Sequence, residues 1–220
     1  MADRTRARQL AAEFNRVGDP TGWFEKLYKE AEAGASEVPW ADLRPNSNLL
    51  NFWSSNPIDG PGKRALVVGC GLGDDAEQLA AWSFQTTAFD ISPTAIRGAQ
   101  KRFPRSDVNY VVADALQTPR DWATAFDFVL EIYTVQVLLA PLREMLIANL
   151  AQLLRPGGEI LVIARGRDET DPHGEMPWPV TRDELQGFVR AGLVEVSFED
   201  YPDPESPEVR RFRVLYRRPR

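Results

Sequence analysis

The chain is poor in the residues that announce chemistry most directly. Its 220 residues include one cysteine, Cys70, and one histidine, His173. A lone cysteine excludes an internal disulfide and any all-cysteine zinc site, and a single histidine does not complete a mixed one, so no metal site is expected. No run is long and apolar enough to span a bilayer, and the opening MADRTRARQL is too charged for a signal-peptide core. Surplus positive charge is missing too. The 26 Lys and Arg against 32 Asp and Glu leave a net charge of −6, the wrong sign for a non-specific nucleic-acid binder. There is no internal repeat and no low-complexity tract. What remains is a chain that is 43% hydrophobic, enough for one substantial core, and expected to be cytoplasmic.

The first sixty residues read as helices and turns. DPTGWFEKLYKEAEAG has Asp19 as N-cap, Pro20 at the first helical position and Gly34 as stop, and a short helix is expected from Ser47. From Arg64 the rhythm changes to strand and helix in alternation. RALVVG is a short, almost continuous apolar run, the pattern of a strand covered on both faces. DDAEQLAAW follows as a helix, QTTAFD as a strand, and PTAIRGAQKRF as a helix capped by Ser92. VNYVVAD and FDFVLEIY are the third and fourth strands. PLREMLIANLAQLLR is a helix stopped by Pro156 and Gly157, and GGEILVIAR is the fifth strand. TRDELQGFVRAG carries a Thr181–Glu184 capping box, and LVEVSFEDY and EVRRFRVLY close the chain as antiparallel neighbours. Alternation implies parallel pairing through right-handed crossovers. The expected fold is therefore α/β, a three-layer doubly wound sheet, mostly parallel with an antiparallel C-terminal hairpin. Residues 1–60 form a helical cap packed on a catalytic unit spanning 61–220, the two making one structural domain.

The most informative stretch is ALVVGCGLGDD. Gly69, Gly71 and Gly73 follow a strand and open a helix, the context in which glycine turns cradle a nucleotide. The dinucleotide fingerprint G-x-G-x-x-G/A is not quite met, because the third glycine comes one residue early and Asp74 takes the last small position. Two carboxylates at a phosphate site would repel a diphosphate by about 4 kcal/mol at close range. A nucleoside with positive charge and no phosphate escapes that penalty, and S-adenosyl-L-methionine is one.

These residues resemble the class I S-adenosylmethionine-dependent methyltransferases from about Arg64 to the C-terminus, through motifs that occur in order. ALVVGCGLGDD is similar to the family's glycine-rich motif, which implies Gly69, Cys70, Gly71 and Gly73 at the cofactor. AFDIS resembles the second motif and implies Asp90 on the ribose hydroxyls with Ile91 alongside. VVADAL implies Asp114 near the adenine amino group and Ala115 beside the ring. FDFVLEIYTVQVL implies Glu131, Ile132 and Tyr133 near the methionine part and the methyl group, and LLRPGGEILVIA resembles the run into the fifth strand. There are departures. Val67 stands where many members carry an acid, and the Asn-Pro-Pro-Tyr signature of amino-methylating nucleic-acid and glutamine enzymes is absent. The N-terminal segment resembles the cap of small-molecule members, with Trp40 as a lid over the cofactor. The expectation is a methyl transfer to a small-molecule acceptor, yielding S-adenosyl-L-homocysteine, with neither nucleic acid nor membrane as partner. A non-catalytic cofactor-binding module and an NAD(P)-dependent oxidoreductase are the alternatives.

Ligands of open α/β sheets lie outside the carboxyl ends of the strands. The acceptor-side candidates there are Tyr133, also the one catalytic candidate, and Gln136 after the fourth strand. Arg165, Arg167, Asp168 and His173 follow the fifth. Arg165, at the strand end itself, suits an anionic acceptor, and His173 in its polar loop reads as readily as a bystander.

Overall fold

The first strand, β1 (Arg64–Val68), explains why its sequence is apolar at every position after Arg64 rather than at alternate ones. Leu66 and Val68 enter a core on one face of the sheet, while Ala65 and Val67 enter a second core on the other, and none is more than 4% exposed. The computed structural model describes residues 3–220, so the first two residues of the 1–60 segment lie outside it. Seven strands form one sheet: β1, β2 (Gln85–Asp90), β3 (Asn109–Val112), β4 (Phe126–Ile132), β5 (Leu154–Arg165), β6 (Val194–Pro202) and β7 (Arg210–Arg217). Their order is β3-β2-β1-β4-β5-β7-β6. The first five run parallel, and β7 is antiparallel to both β5 and β6. The chain leaves β1 toward β2 and β3 and then returns to β4 on the other side. That reversal leaves a crevice at the carboxyl ends of β1 and β4.

Helices cover both faces. Leu146, Ile147 and Leu150 of α6 (Ala140–Leu153) pack on one side with Phe188. Leu49 and Phe52 of α3 (Ser47–Ser55), with Ala76 and Leu79 of α4 (Asp74–Ala81), pack on the other. A third cluster joins α1 (Thr5–Arg16) and α2 (Gly22–Glu32) through Ala7, Leu10, Trp23 and Leu27, and takes in Met176 from the loop after β5. Glu25 of α2 fastens this segment to the start of α5 (Pro93–Arg102), accepting from the Ser92 hydroxyl at 2.6 Å and from the Thr94 hydroxyl and N–H at 2.9 and 3.1 Å.

Three local expectations change. The helix expected from Pro20 begins at Gly22, because the Asp19 carboxylate folds over the first turn and accepts from the Gly22 N–H at 2.8 Å. A Cβ at position 22 would lie 2.0 Å from that carboxylate, so glycine is what permits the arrangement. The helix expected to run to Arg155 ends at Leu153, and Leu154 to Gly158 begin β5. Leu154 pairs with Phe126, a register shift follows, and Pro156 sits in the irregular stretch where its missing donor is tolerated. The last helix divides into α7 (Arg182–Leu185) and α8 (Gly187–Arg190) around Gln186, whose side chain donates to Glu195.

The capping box at α7 does form. Thr181 Oγ1 accepts from the Glu184 N–H at 3.1 Å, and Glu184 returns the bond to the Thr181 N–H at 2.8 Å. Thr181 is buried, and Thr181→Ala takes the acceptor from the part-buried Glu184 N–H. The expected loss is about 1–2 kcal/mol in urea unfolding.

Candidate functional site

The site starts from the turn after β1. Gly69, Gly71 and Gly73 all have positive φ, at +59°, +53° and +93°. They are also crowded. A Cβ on Gly69 would lie 2.6 Å from Thr134 Oγ1, and one on Gly71 would lie 2.9 Å from the Tyr28 hydroxyl. One on Gly73 would lie 2.4 Å from the Tyr110 hydroxyl. The Gly71 N–H donates to Asp90 at the end of β2 at 3.0 Å, and the Ser92 N–H donates to the other oxygen of the same carboxylate at 2.8 Å. Burial pushes the Asp90 carboxyl up to about 6, partly opposed by those two donors and reinforced by the charge of Glu25.

The paired aspartates of the glycine motif separate in role. Asp74 forms a two-pronged ion pair with Arg102 of α5, both contacts at 2.7 Å, and Arg102 also donates to the Leu72 carbonyl. Its charge is thus matched, and it straps the glycine loop to the neighbouring helix instead of repelling a ligand. Asp75 is partly buried, accepts from the Asn46 N–H at 2.7 Å, and desolvation pushes it up to about 6.

A cavity of about 340 Å³ opens over this loop, within the size range of small-molecule sites. Gly69, Cys70, Gly71, Asp90, Ile91, Asp114, Ala115, Ile132 and Trp40 all line it. Asp114 accepts from the Leu116 N–H at 2.8 Å, and the Asn149 amide holds the Leu116 carbonyl at 2.7 Å, which fixes this turn. Trp40 donates from its ring nitrogen to the Tyr28 hydroxyl at 2.9 Å and meets the edge of Trp23, so it is anchored from below while facing the cavity. Gly73 and Glu131 lie outside. Gly73 is the N-cap of α4. Glu131 is fully buried behind the site, where one oxygen accepts from the Thr134 and Val135 N–H groups at 2.6 and 2.9 Å and shapes the loop after β4. Its second oxygen has no partner, and burial raises the group to about 7.

The acceptor-side candidates divide as well. Tyr133, Gln136 and Arg165 line the cavity, whereas Arg167, Asp168 and His173 do not. Arg167 is buried among carbonyls of its own loop, His173 is exposed with Nδ1 3.2 Å from Arg167, and Asp168 pairs with Arg210. Gln136 uses its side-chain oxygen to accept from the Arg165 backbone N–H at 2.6 Å, so it sets the end of β5. Tyr133 has φ +68°, an uncommon conformation for an aromatic residue. Its hydroxyl accepts from Asn48 at 3.2 Å, and the Arg211 guanidinium lies 4.3 Å over its ring. Burial raises the phenol above its ordinary value.

Sequence reasoning missed Tyr28, Asn48, Arg4, Asp203 and Arg211, all of which line the cavity. Arg211 carries a readable signal. In RRFRVLY of β7, Phe212, Val214 and Tyr216 face one core, which puts Arg211 and Arg213 on the opposite, buried face where charge is unusual. Among the described residues no group of three or more His, Cys, Asp or Glu is placed to hold a metal ion, and no helix is long and apolar enough to cross a membrane.

Comparison with known proteins fits this geometry. The family model described as "Methyltransferase domain" matches residues 65–158. The chain is 29% identical over 185 residues to "Probable thiol methyltransferase 2" of Arabidopsis thaliana, covering 81% of this chain and 74% of that protein. It is 34% identical over 161 residues to a ubiquinone biosynthesis O-methyltransferase of Aromatoleum aromaticum, covering 72% and 61%. Among solved structures, the N-methyltransferase NodS of Bradyrhizobium japonicum, in complex with S-adenosyl-L-homocysteine, has a TM-score of 0.69 at 22% identity, covering 89% of this chain and all of that one. The last likeness shows the fold alone.

Proposed function

We propose that the chain is a class I S-adenosylmethionine-dependent methyltransferase that transfers the methyl group to a small acceptor bound beside Tyr133 under the cap of residues 1–60. The observation that supports this most is the cradle itself. Backbone approaches the cavity at Gly69 and Gly71, where a Cβ would collide, and a buried carboxylate waits at the end of β2. These residues fit the cofactor. Asp90 would accept from the ribose hydroxyls, Asp114 would accept from the adenine amino group, and Ile91, Ala115 and Leu116 would flank the ring. When bound, S-adenosylmethionine supplies a sulfonium-linked methyl open to in-line displacement. The chain's part is to hold the acceptor in line, and orientation of this kind is worth roughly 7–11 kcal/mol. Trp40 and Tyr28 would exclude water from above, and Tyr133, kept neutral by burial, would present a hydroxyl to the acceptor. Among the described residues no histidine lines the cavity, which suits acceptors ionised without help, such as thiols. The thiol-methylating relative is consistent with that choice.

Calorimetry of the protein against S-adenosylmethionine, S-adenosylhomocysteine and NADH tests the reading. Micromolar binding of the first two, about 8 kcal/mol, with none of the third is expected. The reverse would restore the oxidoreductase alternative. Turnover of any small acceptor would remove the binding-only one.

A pH dependence follows. The ionised Asp90 carboxylate is the stronger acceptor for hydroxyl hydrogens, and burial pushes its carboxyl up to about 6. S-adenosylhomocysteine affinity is therefore expected to be flat above about pH 7 and to fall about tenfold per unit below about 6, one linked proton. An affinity unchanged down to about pH 5 would remove Asp90 from the ribose.

A further inference from the structure

We propose that the acceptor end of the cavity is an anion subsite, in which Arg165, flanked by Arg4 and Arg211, grips a carboxylate carried by the methyl acceptor. The inference rests on the methyl-transfer reading and adds the charge class of the substrate.

Four arginines line the cavity; Arg44 is paired with Glu205, and the other three come from distant parts of the chain. Arg165 ends β5, Arg4 precedes the first turn of α1, and Arg211 lies on β7. Among the described residues, the guanidinium groups of Arg165 and Arg4 make neither an ion pair nor a hydrogen bond, although both residues are partly buried. Arg211 is 8% exposed, and Asp203 accepts from its Nε at 2.6 Å. Its Nη1 is buried without any partner. A buried donor with nothing to donate to is rare in folded proteins, and in a cavity wall it points to a ligand.

The nearby acids do not neutralise the cluster. Asp203 is already committed to Arg211, Asn48 and the N–H groups of Glu205 and Ser206. Asp42 is exposed and lies beyond ion-pair distance of Arg4. Arg8, which adds its charge from behind, is tied to Glu175 and to the Met176 carbonyl. Burial, then the charges of Arg4, Arg211 and Arg8, press the Arg165 guanidinium down to about 10. The guanidinium fork matches a planar oxyanion through paired hydrogen bonds, and this favours a carboxylate over a spherical halide.

The test uses protein saturated with S-adenosylhomocysteine, titrated calorimetrically with benzoate and with its neutral counterpart benzamide. Initial rates with 4-mercaptobenzoate and its methyl ester form a second arm. Benzoate is expected to bind at least about tenfold tighter, as for a charge-assisted fork, and the acid to show the lower KM. Arg165→Gln should erase both preferences, Arg165→Lys should keep part of them, and S-adenosylhomocysteine affinity should report an intact fold in each variant. Equal binding of benzoate and benzamide, or a preference that survives Arg165→Gln, overturns the anion subsite. Absence of S-adenosylhomocysteine binding would instead strike the methyl-transfer reading, and titration of the ligand-free protein with benzoate would still decide the subsite.

Discussion

Gly71→Ala is expected to weaken S-adenosylhomocysteine binding by roughly 30- to 100-fold while leaving the protein folded. Two costs combine at this position. The backbone is left-handed, with φ +53°, which costs a residue with a Cβ about 1–2 kcal/mol. The new Cβ also meets the Tyr28 hydroxyl at 2.9 Å, closer than real contacts allow, so the tyrosine or the loop must move. The ligand-free loop escapes by leaving the strained conformation, since this residue is held there by its N–H bond to Asp90 and a weak Cys70 Sγ contact to its carbonyl. The binding-competent shape then becomes the minor state, and apparent affinity falls by its population. A bias of about 2–3 kcal/mol leaves it a few per cent populated or less. Calorimetry gives the affinity, and thermal unfolding without ligand separates this effect from loss of fold. Adding Tyr28→Phe should recover the part due to collision but not the part due to φ. Full recovery would mean that the left-handed conformation is immaterial, and no loss in the single variant would mean that the ligand does not use this loop.

Much of this site was legible because its parts are local. A strand, a glycine turn and a helix occur within ALVVGCGLGDD, and the acid at the end of QTTAFD is read in the same way. Parallel pairing followed from alternation, and the closing hairpin from its short turn. The acceptor end was less legible because it is assembled from distant segments. Arg4 and Arg211 are separated by nearly the whole chain, and no local pattern says that a charge near one terminus will share a wall with a charge near the other. Where a pattern did exist, in the alternation of RRFRVLY, it puts Arg211 and Arg213 on one face but does not say that this face meets a cavity. Glu131 shows a different limit. Its place at the end of β4 is readable, but whether its carboxylate faces a ligand or holds the backbone of the next turn depends on side-chain direction. The structure has it accepting from Thr134 and Val135. The Pro-Gly-Gly run misled for a third reason. These residues stop helices, but here they make the irregular start of a strand, since Leu153 and Leu154 are both needed in the core.

Asp203→Ala is expected to destabilise the protein by about 3–5 kcal/mol, the range for removing one partner of a buried ion pair. Against a total stability of roughly 5–15 kcal/mol, that lowers the thermal midpoint by about 10 °C or more. Asp203 is 4% exposed and Arg211 is 8% exposed. Burial alone would raise this carboxyl, but the bond from Arg211 opposes it first. The Glu205 N–H, the Arg211 charge and Asn48 add to that, and the group is held below the usual range. A lowered carboxyl contributes stability that is present above its unfolded value, about 3.9, and is lost as pH falls through the folded value. The difference between wild type and Asp203→Ala should therefore be constant at neutral pH and shrink in strong acid. Alanine strands the Arg211 guanidinium over the Tyr133 ring with one nitrogen already unpartnered, and it frees the β6–β7 turn at the Glu205 and Ser206 N–H groups. Converting both partners, as Asp203→Leu with Arg211→Met, should recover most of the loss, because an apolar pair leaves no stranded charge. If the double variant is as unstable as Asp203→Ala, the carboxylate's main task is holding the turn. If Asp203→Ala costs nothing, Arg211 is not buried in solution and the cationic wall is open to water.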